Sequence, residues 1–164
     1  MNIRIATIDD LPEIVSIYNA TIPGRLATAD TEPVTVESKL DWFNKHESNR
    51  RPLWVIPENN EIAGWVSLND FYGRPAYNGT AEISIYIKEP FQNNGYAQFG
   101  LVHAIDACGT LNIHTLLAFV FSHNKPSVQF FQKNGFIEMG NLEEIARMDD
   151  KKISLLILGF KINQ

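Results

Sequence analysis

Cysteine is nearly missing from this sequence. Cys108 is the single one among 164 residues, which excludes a disulfide framework and a thiolate metal cluster. The four histidines, His46, His103, His114 and His123, lack metal-ligand spacing of the HExxH kind, and no metal is expected. Positive charge is also in deficit: 14 Lys and Arg stand against 19 Asp and Glu, a formal net charge of −5. Phosphate backbones are bound by basic faces, so nucleic acid is not an expected partner. No apolar run reaches the roughly 18 residues of a membrane span. The opening MNIRIATIDD lacks the apolar core of a signal peptide. A soluble, cytoplasmic protein without a membrane partner is expected. There is no internal repeat, low-complexity tract or composition shift. The length is close to that of one ordinary domain, so residues 1–164 are expected to form a single unit.

What is present is an ordinary globular balance, 45% hydrophobic and 20% charged, arranged in readable periods. Ile3 and Ile5 alternate with polar neighbours, as in a short half-buried strand. Thr7, Asp9 and Asp10 offer helix caps. Leu11, Ile14, Val15 and Tyr18 then come at i, i+3, i+4 and i+7, an amphipathic helical stripe. Residues 19–34 carry Pro23-Gly24 and Pro33 among Thr and Asp. They read as an irregular connection long enough to be a functional loop. Thr35 can cap a second helix with Val36, Leu40 and Phe43 on one side, closed by Arg51-Pro52. Residues 53–56 and 62–68 are strand-like runs about the turn Pro57-Glu58-Asn59-Asn60, a hairpin.

Residues 71–79 form a Gly-, Pro- and Asn-containing loop, and 81–88 (AEISIYIK) alternate strictly. The polar turn 92–97 precedes a helix whose apolar face is Leu101, Val102, Ile105 and Cys108, ended by Gly109. Residues 116–121 are continuously apolar, as in a buried strand. Asn124 caps a short helix that stops at Gly135. Two last strands, 136–147 and 153–162, flank the turn 148–151. The order β-α-α-β-β-β-α-β-α-β-β indicates an α/β fold: a sheet of mixed direction with helices on both faces. Arg50-Arg51 and Lys151-Lys152 read as solvated ends. Cys108, Trp42, Trp54 and Trp65 read as core, and His123 as exposed.

Two stretches carry chemistry. The turn Gln92-Asn93-Asn94-Gly95-Tyr96-Ala97 opens a helix. Free N–H groups and the helix dipole there suit an anion, and Gly95 and Ala97 let a phosphate approach closely. Taken alone, Q-x-x-G-x-A is a weak signal, more often an ordinary strand-to-helix turn than an anion site. In the strand before it, Glu82, Ser84, Tyr86 and Lys88 share one face. Such a polar stripe fits a cleft, or a sheet face open to water.

After the turn 92–97 come Asn124-Lys-Pro-Ser127 and then Phe131-Gln-Lys-Asn-Gly135-Phe136. Together these resemble the signature of the GNAT N-acetyltransferase superfamily: an R/Q-x-x-G-x-G/A pyrophosphate loop, then an N-x-x-(A/S)…G-F segment along the pantetheine arm. The segments IRIATIDDLPEIVSIYN, EPVT, FYGRPAY and TAEISIYI are similar to the phosphinothricin N-acetyltransferase branch. The resemblance covers nearly the whole chain. It implies the GNAT fold, a mostly antiparallel central sheet with helices on both faces, and acetyl-CoA as co-substrate. It implies acetyl transfer to the primary amine of a small molecule, an amino acid or an analogue such as phosphinothricin or methionine sulfoximine, by what is often a homodimer.

It further implies that Glu82 is the acid/base residue. Gln92, Asn93, Asn94, Gly95, Tyr96, Ala97, Asn124, Ser127 and the backbone amides of Ile85, Tyr86 and Ile87 would hold acetyl-CoA. Phe71, Arg74 and Tyr77 would face the substrate, with Arg74 on its carboxylate; read without the resemblance, Arg74 is more often a solvated loop residue beside Pro75. The sequence departs from the pattern at Phe131, where the superfamily often has Tyr and this branch His, and which cannot donate a proton. It departs again at Tyr72, Asn78, Lys152 and Ser154. These changes leave open a polyamine or protein N-terminus as the acceptor, or a CoA-binding sensor with little catalysis.

Overall fold

The computed structural model describes residues 1–162; residues 163 and 164 of the expected domain lie outside them. The chain runs β1 (Arg4–Ile5), α1 (Leu11–Thr21), α2 (Leu40–Asn44), β2 (Leu53–Glu58), β3 (Glu61–Asp70), β4 (Thr80–Ile87), α3 (Tyr96–Ala107), β5 (Thr115–Phe121), α4 (Lys125–Lys133), β6 (Ile137–Met148) and β7 (Lys151–Lys161). This is the order expected from the periodicities. One seven-stranded sheet results, ordered β1-β2-β3-β4-β5-β7-β6. Every neighbouring pair is antiparallel except β4 and β5.

Each face of the sheet has its own core. On one, Trp54, Val66, Leu68, Ala81 and Ile83 pack with Leu101 and Ala104 of α3, with Cys108 at its C-cap, and with Val128 and Phe131 of α4. On the other, Leu53, Val55, Ile62 and Trp65 pack with Ile14 and Ile17 of α1 and with Trp42 and Phe43 of α2. Fully burying one such aliphatic side chain contributes about 1.5–3 kcal/mol. Among the described residues no helix is long and apolar enough to cross a membrane.

Several local expectations are corrected. β1 is an exposed edge, and only Ile3, just before it, is half-buried. The β2–β3 turn is the two-residue Asn59-Asn60 pair, both at positive φ. That conformation matches the twist of the flanking strands, and β2 continues through Pro57 by a bulge. Thr35 does act as a cap, its hydroxyl accepting from Ser38 N at 3.1 Å, but α2 ends at Asn44 rather than at Pro52. On α3 the buried face is Gly100, Leu101 and Ala104, continued by the C-cap Cys108. Val102 faces outward, because close packing of Gly100 on Val66 turns the helix that way. Arg51 is 3% exposed, not a solvated end: its guanidinium pairs with Asp70 at 2.8 Å and donates to Asn78 O at 2.7 Å.

Candidate active site

The parallel pairing of β4 with β5 covers only Thr80–Glu82 against Thr115–Leu117. Beyond it β4 runs on against β3, and β5 runs on against β7. The two strands therefore splay, leaving backbone groups along their facing edges without ladder partners. Lys88 N donates to Ala63 O on the β3 side. Antiparallel ladders alternate from residue to residue, so the amide of Tyr86 also faces β3, while those of Ile85 and Ile87 face the splay. Of the three amides expected to serve a ligand, two are thus directed into the gap.

The strand registers build a floor of three rungs. Asn69 lies opposite Glu82, Ser67 opposite Ser84, and Trp65 opposite Tyr86. The last pair stacks at 4.5 Å between ring centroids. These residues share the face that looks toward α1, and all six line a cavity of about 710 Å³. The polar stripe read in residues 82–88 is therefore a cavity floor as far as Tyr86. Lys88 leaves it to pair with Glu13 at 3.0 Å and Glu61 at 2.6 Å.

The roof is the connection 22–34. Tyr86 Oη donates to Ala27 O at 3.1 Å, Asn124 Nδ2 to Leu26 O at 3.2 Å, and His123 Nε2 lies 2.9 Å from Arg25 O. Arg25 reaches Asp149 at 2.9 Å. Tyr18 is hydrogen-bonded to both Thr28 and Asp30. Side chains from α1, β4, the β5–α4 junction and the β6–β7 turn thus pin one irregular segment over the splay, and Leu26, Ala27, Thr28 and Ala29 line the cavity.

Burial sets the electrostatics. It pushes the Glu82 carboxyl above its ordinary value of 4.5, because a desolvated carboxylate is disfavoured. It pushes Tyr18 up to about 12, helped by the adjoining Asp30, and raises Tyr86 as well. Both phenols stay protonated and serve as donors.

The turn 92–97 lies outside this cavity, at the end of β4. It is tied back by Gln92 Nε2 donating to Ile87 O at 3.0 Å and by Asn94 Nδ2 donating to Gln92 O at 2.9 Å. Gly95 has φ +87° and is the N-cap of α3. No side chain caps that helix, so its first-turn amides, including those of Tyr96 and Ala97, are open. At the second helix Asn124 Oδ1 accepts from Ser127 N at 3.3 Å. Both ends of the Asn124 amide are engaged, and Asn124 and Ser127 line the cavity.

The loop 71–79 stands at the cavity's margin. Phe71 packs on the lining residue Phe119 and edge-on against Tyr77, while Arg74 is exposed and outside the lining. Phe131 is buried between Phe130 and Phe136 and touches the cavity. The sequence patterns do not single out Tyr18, Thr28, Lys39, Ser67 or Asn69 as site residues, and they place Trp42 and Trp65 in the core. Trp65 is both, 3% exposed and lining the cavity.

Comparison with known proteins matches residues 12–136 to the acetyltransferase (GNAT) family. The Bacillus subtilis (strain 168) protein named "Putative phosphinothricin acetyltransferase YwnH" is 48% identical over 164 residues, covering 99% of this chain and all of that one. A solved structure of a putative phosphinothricin N-acetyltransferase superposes with a TM-score of 0.94 at 47% identity, covering 99% of each chain. A phosphinothricin acetyltransferase from Sinorhizobium meliloti, solved with acetyl-CoA, superposes with a TM-score of 0.91 at 20% identity, covering 99% of this chain and 88% of that one. The splayed strands, the open helix terminus and these matches agree: the chain belongs to the GNAT family of acetyltransferases.

Proposed function

We propose that residues 1–164 act as one N-acetyltransferase domain that moves the acetyl group of acetyl-CoA to the primary amine of an amino acid or an analogue of the phosphinothricin or methionine sulfoximine kind. Bound acetyl-CoA supplies an activated thioester. The residues present suit it: Ile85 and Ile87 N–H face the gap between β4 and β5, and the first turn of α3 is uncapped where a pyrophosphate needs donors. Gln92 to Ala97 form that turn. Asn124 and Ser127 shape the wall beside the pantetheine arm. Phe71 and Tyr77 border the amine's entrance.

The observation that carries the reading is Glu82, a desolvated carboxylate at the head of the splay. An amine is mostly protonated at neutral pH, with a pKa near 8–10, and must lose a proton to attack. Glu82 accepts it, directly or through one water. Its raised pKa brings it closer to that task than an exposed carboxylate would be. The Ile85 and Ile87 amides stabilise the negative charge that develops on the thioester oxygen. The amine nitrogen bonds to the thioester carbon, the carbon–sulfur bond breaks, and CoA leaves as a weakly basic thiolate that takes the second proton of the amine, directly or through water. Phe131 donates nothing, which accords with unassisted departure.

In this reading the enzyme is cytoplasmic and works as a homodimer. The support for the dimer is β6, an edge strand with Ile137, Met139, Leu142 and Ile145 all exposed. The test of function is thiol release from acetyl-CoA across a panel of amines: phosphinothricin, methionine sulfoximine, common amino acids, spermidine and a peptide N-terminus. Amino acids or their analogues should turn over fastest. Preference for spermidine or the peptide would replace the substrate class, and no release with any amine would leave a CoA-binding protein.

A further inference from the structure

The cavity contains one acidic and one basic side chain among its described lining residues, Glu82 and Lys39. Lys39 stands where a 3-10 turn over Glu37–Lys39 meets α2, half-buried, with Nζ 5.2 Å from the centroid of the Tyr18 ring. Arg4, Arg25, Arg50, Arg51 and Lys88 each make an ion pair with a carboxylate, and Lys39 makes none with a described residue. A ring face attracts an ammonium without neutralising it and leaves its N–H donors available. Tyr18 itself is fixed by Thr28 and Asp30, so the ring is a rigid seat. Arg74, by contrast, is exposed and outside the lining.

We propose that Lys39 is the specificity residue that holds the carboxylate of the amine substrate, so that the cleft selects amino acids over simple amines. The inference rests on the acetyl-transfer reading and deepens it. A zwitterion matches the two charges: its ammonium toward Glu82, its carboxylate toward Lys39, and its side chain against Trp42, Trp65 and Tyr86. In a partly desolvated cleft such pairing is stronger than in water.

The test is the ratio of kcat/KM for the best amino acid of the panel to that for its decarboxylated counterpart. Lys39→Met keeps most of the aliphatic stem and removes the charge. The ratio should fall about tenfold or more, chiefly through KM for the amino acid, and Lys39→Arg should restore much of it. An unchanged ratio in Lys39→Met overturns the assignment. So does a fall in the ratio for Arg74→Met without one for Lys39→Met. A wild type that acetylates both compounds equally well overturns the inference and leaves acetyl transfer standing. A wild type that releases no thiol with any amine removes the underlying reading and the inference with it.

Discussion

Asn124 bridges α4 and the roof: its Nδ2 donates to Leu26 O at 3.2 Å while its Oδ1 caps α4 through Ser127 N. The two contacts have opposite donor and acceptor sense, and one substitution separates them. Asn124→Asp keeps the cap acceptor and sets an oxygen against the Leu26 carbonyl. Asn124→Ala loses both, and an N-cap alone is worth about 1 kcal/mol. We expect Asn124→Ala to lower stability by about 1–2 kcal/mol in denaturant unfolding. Asn124→Asp should keep α4 and speed tryptic cleavage at Arg25. Equal cleavage of wild type and Asn124→Asp would show that the bond to Leu26 does not hold the roof.

On the proposed reading, Glu82 trades stability for chemistry. Its pKa is raised by burial, so the folded state disfavours the carboxylate. That cost is absent below the ordinary value near 4.5 and present once pH has risen through the raised one. Glu82→Gln should therefore have a higher thermal midpoint than wild type at pH 7, an advantage that fades on acidification. Its kcat/KM should fall about 10²–10⁴-fold. The wild-type acid limb should lie above that of an exposed carboxylate, because the base form is lost as pH falls through the raised pKa. The deficit of Glu82→Gln should shrink at high pH, where the amine deprotonates unaided. An unaltered pH–rate profile in the variant would remove Glu82 as the base.

Gly95 combines two constraints that substitution can resolve. Its φ of +87° is strained for any L side chain, yet an added Cβ would meet only Met1 Cε, at 3.6 Å. Gly95→Ala should therefore cost about 1–2 kcal/mol through the backbone, with modest weakening of acetyl-CoA binding. Gly95→Glu adds bulk and negative charge beside the open amides of α3, and its affinity in calorimetry should collapse. A folded Gly95→Glu with wild-type affinity would move the pyrophosphate elsewhere.

Strict alternation in residues 81–88 makes β4 and its polar face legible, and Asn124 is legible as a cap because its residue type suits that position. The cavity itself is not. Ser67, Asn69 and Trp65 reach it only because β3 pairs with β4 in the register Asn69–Glu82, and pairing register is not written in either strand alone. Lys39, Thr28 and Tyr18 meet across the irregular segment 22–34, where no period constrains direction. Arg51 misleads for the same reason: its run of two arginines looks solvated until Asp70 and the carbonyl of Asn78 are brought to it.

The edge strand β6 exposes a row of apolar side chains, with Ile137 and Ile145 each 62% accessible. Unpartnered edges and exposed apolar side chains invite association, and the commonest closed form is a two-fold dimer in which the same patch meets itself. Ile145 also lines the cavity, so a second copy seated on β6 would lie beside the cavity wall. Sedimentation should give a species near twice the 18.6 kDa chain mass. Ile137→Glu combined with Leu142→Glu adds like charges to the patch on both copies and should shift the protein to monomer. Neither residue lines the cavity, so any accompanying change in amine KM would report the loss of the neighbouring copy. A monomeric wild type at micromolar concentration, or an undisturbed dimer in the double variant, would place the contact elsewhere or remove it.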